Sequence, residues 1–361
     1  MNRILSGGIL LFLTACGGGG SSGGGSGGAV TGPSAPPANS STWSIPESEI
    51  QDPGPGRNGI PSLNFPQFIA AAQVEMHPNE IVVGVDHRGA ARAYPHRILN
   101  WHEVVNDRFE GDVHILSYCP LTGTGMFWES GSSEDTPSWG VSGLLYNSNL
   151  ILFDHETERH WVQMLEESVQ GPRRGEVPVR HKVVEMTWSA WQTLYPNSSI
   201  LDDNTGFERD YSDYPYLSHR TDDNLLFPVA NEDNRLHPKE RVIGIRNAQG
   251  QSRVFQISGF TPQLQVINTQ FRGIPIVVIG SSDMRFGAIY LRETQDGVAQ
   301  IFSSVTGELP AVMRDDEGNL WDIFGRAITG PRVGEELGRT DSYTSYWFAW
   351  AAFFPNADIH F

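Results

Sequence analysis

Short apolar runs, broken every few positions by Gly, Pro, Asn or Asp, fill most of this chain. Ile81 to Val85, Ala91 to Tyr94, Val113 to Tyr118 and Leu150 to Phe153 are β-branched or aromatic stretches of strand length. Asp86-His87-Arg88-Gly89 and Phe109-Glu110-Gly111-Asp112 have the composition of hairpin connections. Two helices are expected to bracket this strand-rich unit. Asn64 can cap the first, with Pro66 in its first turn. Thr187 can cap the second, with Trp188, Trp191 and Tyr195 on one face and Pro196 ending it.

The pattern returns about 160 residues later. His77-Pro78-Asn79-Glu80 with Val82-Val83-Gly84-Val85 reappears as His237-Pro238-Lys239-Glu240 with Val242-Ile243-Gly244-Ile245. Val105-Asn106-Asp107-Arg108-Phe109-Glu110-Gly111 reappears as Ile267-Asn268-Thr269-Gln270-Phe271-Arg272-Gly273. Trp188-Ser189-Ala190-Trp191 and Tyr195-Pro196-Asn197 reappear as Trp347-Phe348-Ala349-Trp350 and Phe354-Pro355-Asn356. A period of this length lies far outside the solenoid range and indicates a duplicated domain. The expected fold is α+β, mainly β, with two homologous tandem domains packed with approximate pseudo-two-fold symmetry. The first repeat spans residues 47–201 and the second, degenerate one 225–361. Between them, residues 202–224 form an acidic, tyrosine-rich connector whose aromatics should pack on the body.

The N-terminus follows different rules. Arg3 precedes an apolar run, Ile4 to Leu13, that is too short to span a bilayer. Leu13-Thr14-Ala15-Cys16 looks like a bacterial lipobox, so residues 1–15 read as a lipoprotein signal peptide and Cys16 as the lipidated residue. Residues 16–46, rich in Gly, Ser and Pro, read as a flexible tether reaching roughly 30 Å root-mean-square. The expected location is the cell envelope, lipid-anchored. Position two after Cys16 is glycine, not aspartate, which by resemblance to Gram-negative sorting signals favours the outer membrane, facing periplasm or surface, if the source is Gram-negative. The net charge of −17, from 25 basic and 42 acidic residues, argues against nucleic acid as a partner. The body, about 315 residues, suits two domains of ordinary size.

If Cys16 is lipidated, Cys119 has no partner for an intrachain disulfide, and a lone thiol in an oxidising compartment must be buried, metal-bound or used. The second copy keeps packing residues and sheds chemical ones. Trp101-His102-Glu103 becomes Gln263-Leu264-Gln265, Cys119 becomes Ser281, and Tyr94-Pro95-His96 becomes Phe255-Gln256-Ile257. One working half and one supporting half is the reading this favours. Cys119, His102 and Glu103 are the candidate catalytic residues; Tyr94, Trp101, Asn106, Ser142 and Asn147 are candidate ligand contacts. Cys119 with His102 is also a candidate site for a soft metal, copper or zinc. His96, His114, Met126 and Met164 could complete it only if the fold gathers them, since none has ligand spacing. The competing readings are plain: Cys119 as a buried hydrophobe, His102 as a structural histidine, and Ser142 to Asn149 as a tight turn.

The motifs Ala93-Tyr94-Pro95, Trp101-His102-Glu103, Val105-Asn106-Asp107, Tyr118-Cys119-Pro120-Leu121-Thr122, Ser142-Gly143 and Asn147-Ser148 resemble the family catalogued as domain of unknown function 3179. The resemblance runs from about Pro61 to Phe361. It implies no established activity, substrate or cofactor. Many members carry a second cysteine where this chain has Thr122, so two-thiolate chemistry does not transfer. The function expected is a membrane-anchored extracytoplasmic lipoprotein that binds a ligand or metal around Cys119 and His102. The alternatives are a thiol enzyme, with Cys119 as nucleophile and His102 as base, and a structural or assembly lipoprotein with an inert Cys119.

Overall fold

The computed structural model describes residues 42–131, 138–171 and 174–360. The readings at the signal peptide, Cys16 and the tether up to residue 41 lie outside the described residues. From Ser41 to Phe361 the chain forms one compact unit. Among the described residues no helix is long and apolar enough to cross a membrane.

Strands dominate, as the apolar pattern requires. In the first half, Val183–Thr187, Ile81–His87, Ala90–Pro95, Ser199–Leu201 and Phe68–Ala70 lie side by side in that order. All pairs are antiparallel except Ser199–Leu201 against Ala90–Pro95, which is parallel. A second sheet holds Leu63–Asn64, Val104–Phe109, Asp112–Cys119 and Thr124–Glu129. Val83, Val85, Tyr94, Val105, Leu116 and Phe127 fill the space between these sheets. A third sheet is built on Trp139–Tyr146 and Asn149–Asp154, whose turn residues Asn147 and Ser148 both have positive φ, as a two-residue hairpin turn needs.

The second half has a four-stranded sheet, Ser342–Tyr346, Arg241–Arg246, Ser252–Gln256 and Asp358–His360, with its last pair parallel. Gln265–Phe271, Ile274–Ser281 and Phe286–Leu291 form a meander beside it. Ile243, Ile245, Phe255, Ile276, Val278 and Ile289 fill the core between them.

Three short helices follow strands: α1 (His96–His102), α2 (Trp188–Leu194) and α3 (Trp347–Phe353). Helix α2 lies where expected, though Thr187 makes no side-chain capping bond. The helix expected after Asn64 does not form. Leu63–Asn64 is instead a short strand parallel to Val105–Asn106, and Asn64 accepts a hydrogen bond from the Asn106 amide, which outweighs its capping tendency. Helix α1 was not legible, because Ile98, Leu99 and Trp101 also suit an extended run.

The halves interlock. Trp347 and Trp350 of α3 pack with Ile115, Met126, Trp128 and Trp161 from the first half. Trp188 and Trp191 of α2 pack with Val277, Ile279, Phe286 and Trp321 from the second. Main-chain bonds cross both ways: Thr187 N–H donates to Met284 O at 2.9 Å, and Tyr346 N–H to Thr122 O at 2.7 Å. In residues 202–224, Tyr211 and His219 are buried.

Candidate functional site

Cys119 ends its strand with only 1% of its surface exposed, among Val104, Leu121, Met126 and Tyr346. Its Sγ lies 3.8 Å from Ser148 O, a weak contact. Burial, and then the charge of Glu103, push the thiol up to about 11. At neutral pH it is therefore a thiol with negligible thiolate, the opposite of what a nucleophile needs.

The structure does not supply His102 as its base. His102 closes α1, fully buried, with Nδ1–H donating to Pro61 O at 2.8 Å and Nε2 accepting from Tyr211 OH at 2.7 Å. Both nitrogens are engaged by the fold, and burial holds the ring below its ordinary range. It is a structural histidine that ties the connector to the body. Its nitrogens and Cys119 Sγ are not hydrogen-bonded to one another; each has another partner.

The group electrostatically linked to Cys119 is Glu103. It sits just past α1 at φ +56° and accepts a short hydrogen bond from Tyr216 OH of the connector. Burial pushes its carboxyl up to about 7. The other expected ligand contacts serve the scaffold. Tyr94 OH donates to Asp107 at 2.5 Å, Trp101 Nε1–H to Asp213 O at 3.1 Å, and Ser142 OH to Ile151 O at 2.6 Å. The Asn147 side chain accepts from Ala230 N–H at 2.7 Å, fastening the turn to the start of the second half. Asn106 grips Trp139 on both sides, donating to its carbonyl at 2.8 Å and accepting from its N–H at 3.1 Å.

A different set of side chains converges. His87, His114 and His181 bring three ring nitrogens within 4.8 Å of one another. His87 ends strand Ile81–His87, His114 lies near the start of Asp112–Cys119, and His181 precedes Val183–Thr187. The first and last strands pair in one sheet and the middle one belongs to the sheet facing it, so the triad closes one end of the core between them. Phe127 stacks on His114 with ring centres 4.6 Å apart.

The hydrogen bonding of this cluster is incomplete. His114 is fully buried, yet neither ring nitrogen makes a hydrogen bond of acceptable geometry, the Asp112 carbonyl being the backbone acceptor in reach. His181 Nε2 is 3.5 Å from Glu129 Oε1, too far for a strong bond. His87 Nε2, by contrast, is held 2.7 Å from the Asp112 carboxylate, leaving its other nitrogen for a further partner. Burial, then the neighbouring His181 and His87, depress His114 to about 4. The ring is neutral at physiological pH, the form that ligates a metal.

Residues 57–357 match the family described as "Protein of unknown function (DUF3179)". The chain belongs to this family. No curated protein matches it, and no solved structure does. In this DUF3179 chain the triad escaped sequence reasoning because its members are 27 and 67 residues apart with no ligand spacing. His114 drew notice only as a possible addition to Cys119. A signal existed: each histidine sits at or beside a strand end, and the matching positions of the second half are Asn247, Ile276 and Thr340.

Proposed function

We propose that this protein is an envelope lipoprotein whose body binds one divalent transition-metal ion through His87, His114 and His181. The observation that carries the reading is His114: a buried, neutral imidazole, both nitrogens without a well-formed partner, beside two other histidines. A buried ring that gives up its hydrogen bonds with water normally regains them within the protein, and a metal ion would supply the partner. Three imidazoles suit zinc or copper. Asp112 on His87 is the carboxylate that commonly orients a ligating ring. Nitrogens bound to one tetrahedral ion lie about 3.3 Å apart, given metal–nitrogen bonds near 2.0–2.1 Å, so ring rotations of modest size would close the site.

The reading includes an internal duplication with one metal-binding half. It is supported by the matching sheet orders, by the reciprocal bonds from Thr187 and Tyr346, and by the absence of histidine at the three matching positions. Lipidation at Cys16, with outer-membrane residence in a Gram-negative source, is proposed on the sequence of the leader and tether. Cys119 takes the structural role in this reading, as its burial and raised pKa support.

Elemental analysis of the full-length protein extracted in detergent tests the proposal. We expect about one equivalent of zinc or copper in the parent and in Cys119→Ser, and none in His114→Ala. Metal kept by His114→Ala and lost from Cys119→Ser would return the site to the cysteine. No metal in any of the three would remove the metal reading.

A further inference from the structure

Of the triad, His114 is fully buried, while His87 and His181 keep 13% and 23% of their side-chain surface exposed. His87 and His181 form part of the wall of a pocket of about 330 Å³, shared with Asp86, Arg88, Arg180, Lys182, Phe324, Arg326, Glu336, Leu337 and Arg339. Five basic side chains stand against two acidic ones in that wall, on a chain whose net charge is −17. The local sign is the reverse of the global one. The volume is that of a small molecule's site, near the lower end of the usual range.

Not all of these cations are equally committed. Arg326 is fixed by Asp86 at 2.5 Å and Glu336 at 3.1 Å, and Arg180 by Glu166 at 2.5 Å and Asp341 at 2.8 Å. Lys182 reaches its only ion-pair partner among the described residues, Glu336, at 3.3 Å, and Arg339 reaches Asp341 at 3.5 Å, a carboxylate it shares with Arg180. Both side chains are largely withdrawn from water, with 15% of Lys182 and 29% of Arg339 exposed. Loosely paired, partly desolvated cations beside a triad of metal-type ligands are the arrangement in which an anion is held by charge and by a metal together.

We propose that the pocket binds a small anion carrying a carboxylate or phosphate group, which occupies the open position of the metal held by His87, His114 and His181 while Lys182 and Arg339 grip its oxygens. This rests on the metal reading above and adds the ligand class. Three protein ligands leave a fourth position of a tetrahedral ion open, which a closed structural site would not.

Cobalt(II) substitution separates the two claims, because its visible absorption reports the ligand set. The full-length protein in detergent is loaded with cobalt and titrated with inorganic phosphate, then separately with acetate. A saturable spectral change is expected, with the half-saturation concentration raised about tenfold or more in Lys182→Gln, as for loss of one charge-assisted hydrogen bond. Lys182→Arg should restore much of the affinity. Larger response to phosphate than to acetate would assign the ligand to the phosphates, and the reverse to the carboxylates. Cobalt binding with a spectrum indifferent to both anions overturns the anion site and leaves the metal centre standing. An anion response unchanged in both Lys182→Gln and Arg339→Gln removes the cationic pocket from the account. Failure to bind cobalt, in a protein whose urea midpoint is normal, removes the metal centre and the anion site with it.

Discussion

At the scale of single residues, the buried acid Glu103 shows how the fold holds a group against its ordinary chemistry. It accepts a bond from Tyr216 at a buried position past the end of α1. Desolvation wins over that hydrogen bond, so the carboxyl titrates at about 7 when folded, against about 4.3 for an unfolded glutamate. Below the lower value both states are protonated, and the folded state keeps its full advantage. As pH rises towards 7 the unfolded chain releases its proton first, so stability falls by on the order of 3 kcal/mol across this window and levels off above it. Urea midpoints measured at about pH 5 and about pH 8 should show this loss in the parent. Glu103→Gln keeps an acceptor for Tyr216 and carries no charge, so its loss should be smaller by that amount. Parallel behaviour of parent and variant across the range would rule the buried-acid account out.

At the scale of elements, a strand glycine under a tryptophan recurs. Gly84 lies in Ile81–His87 beneath Trp191 of α2, and Gly244 in Arg241–Arg246 beneath Trp350 of α3. A Cβ on Gly84 would fall 2.0 Å from the Trp191 ring, and one on Gly244 2.4 Å from that of Trp350. Neither ring can move freely, since both are fully buried. Gly84→Ala and Gly244→Ala should therefore each destabilise by about 1–3 kcal/mol or more, although alanine is ordinarily tolerated in a strand better than glycine. Thermal or urea unfolding reads this directly, and a neutral or stabilising result at either position would contradict the packing. Such pairs were legible as repeated letters, as were the strands, because apolar period and turn residues are local signals. Helix α1 was not, and neither was the triad. Whether His96 to His102 coils or extends depends on burial against Tyr94, Tyr118 and the connector, which no window of the sequence contains. Cys119 and His102 drew attention because they are chemically distinctive and have no counterpart at the matching positions of the second half. The same test applied to His87, His114 and His181 gives the same answer, but only once the fold has set the three side by side.

At the scale of the whole molecule, the packing determines how the body should come apart. The core within the first half and the core within the second are each local. The two largest clusters are not: one places α3 on first-half strands and the other places α2 on second-half strands. Arg241 of the second half adds a buried ion pair at 2.9 Å to Glu185 of the first, and Glu185 also accepts from Gly125 N–H at 3.2 Å. Separating the halves would expose four helix tryptophans and leave Glu185 without its arginine, with His96 of its own half beside it at 2.9 Å. Neither half should persist folded while the other is unfolded. Unfolding followed by tryptophan fluorescence and by far-ultraviolet circular dichroism should give one coincident transition. Gly84→Ala and Gly244→Ala, though they lie in different halves, should shift that same transition. Two separable transitions, each moved by only one of these variants, would show that the interlocked clusters contribute less than the cores within each half. The proposed metal site offers an internal check on the same point. Bound metal at a hundredfold over its dissociation constant would raise stability by about 2.7 kcal/mol. All three proposed ligands belong to the first half, yet in a cooperative body the Gly244→Ala protein should gain as much from metal as the Gly84→Ala protein does.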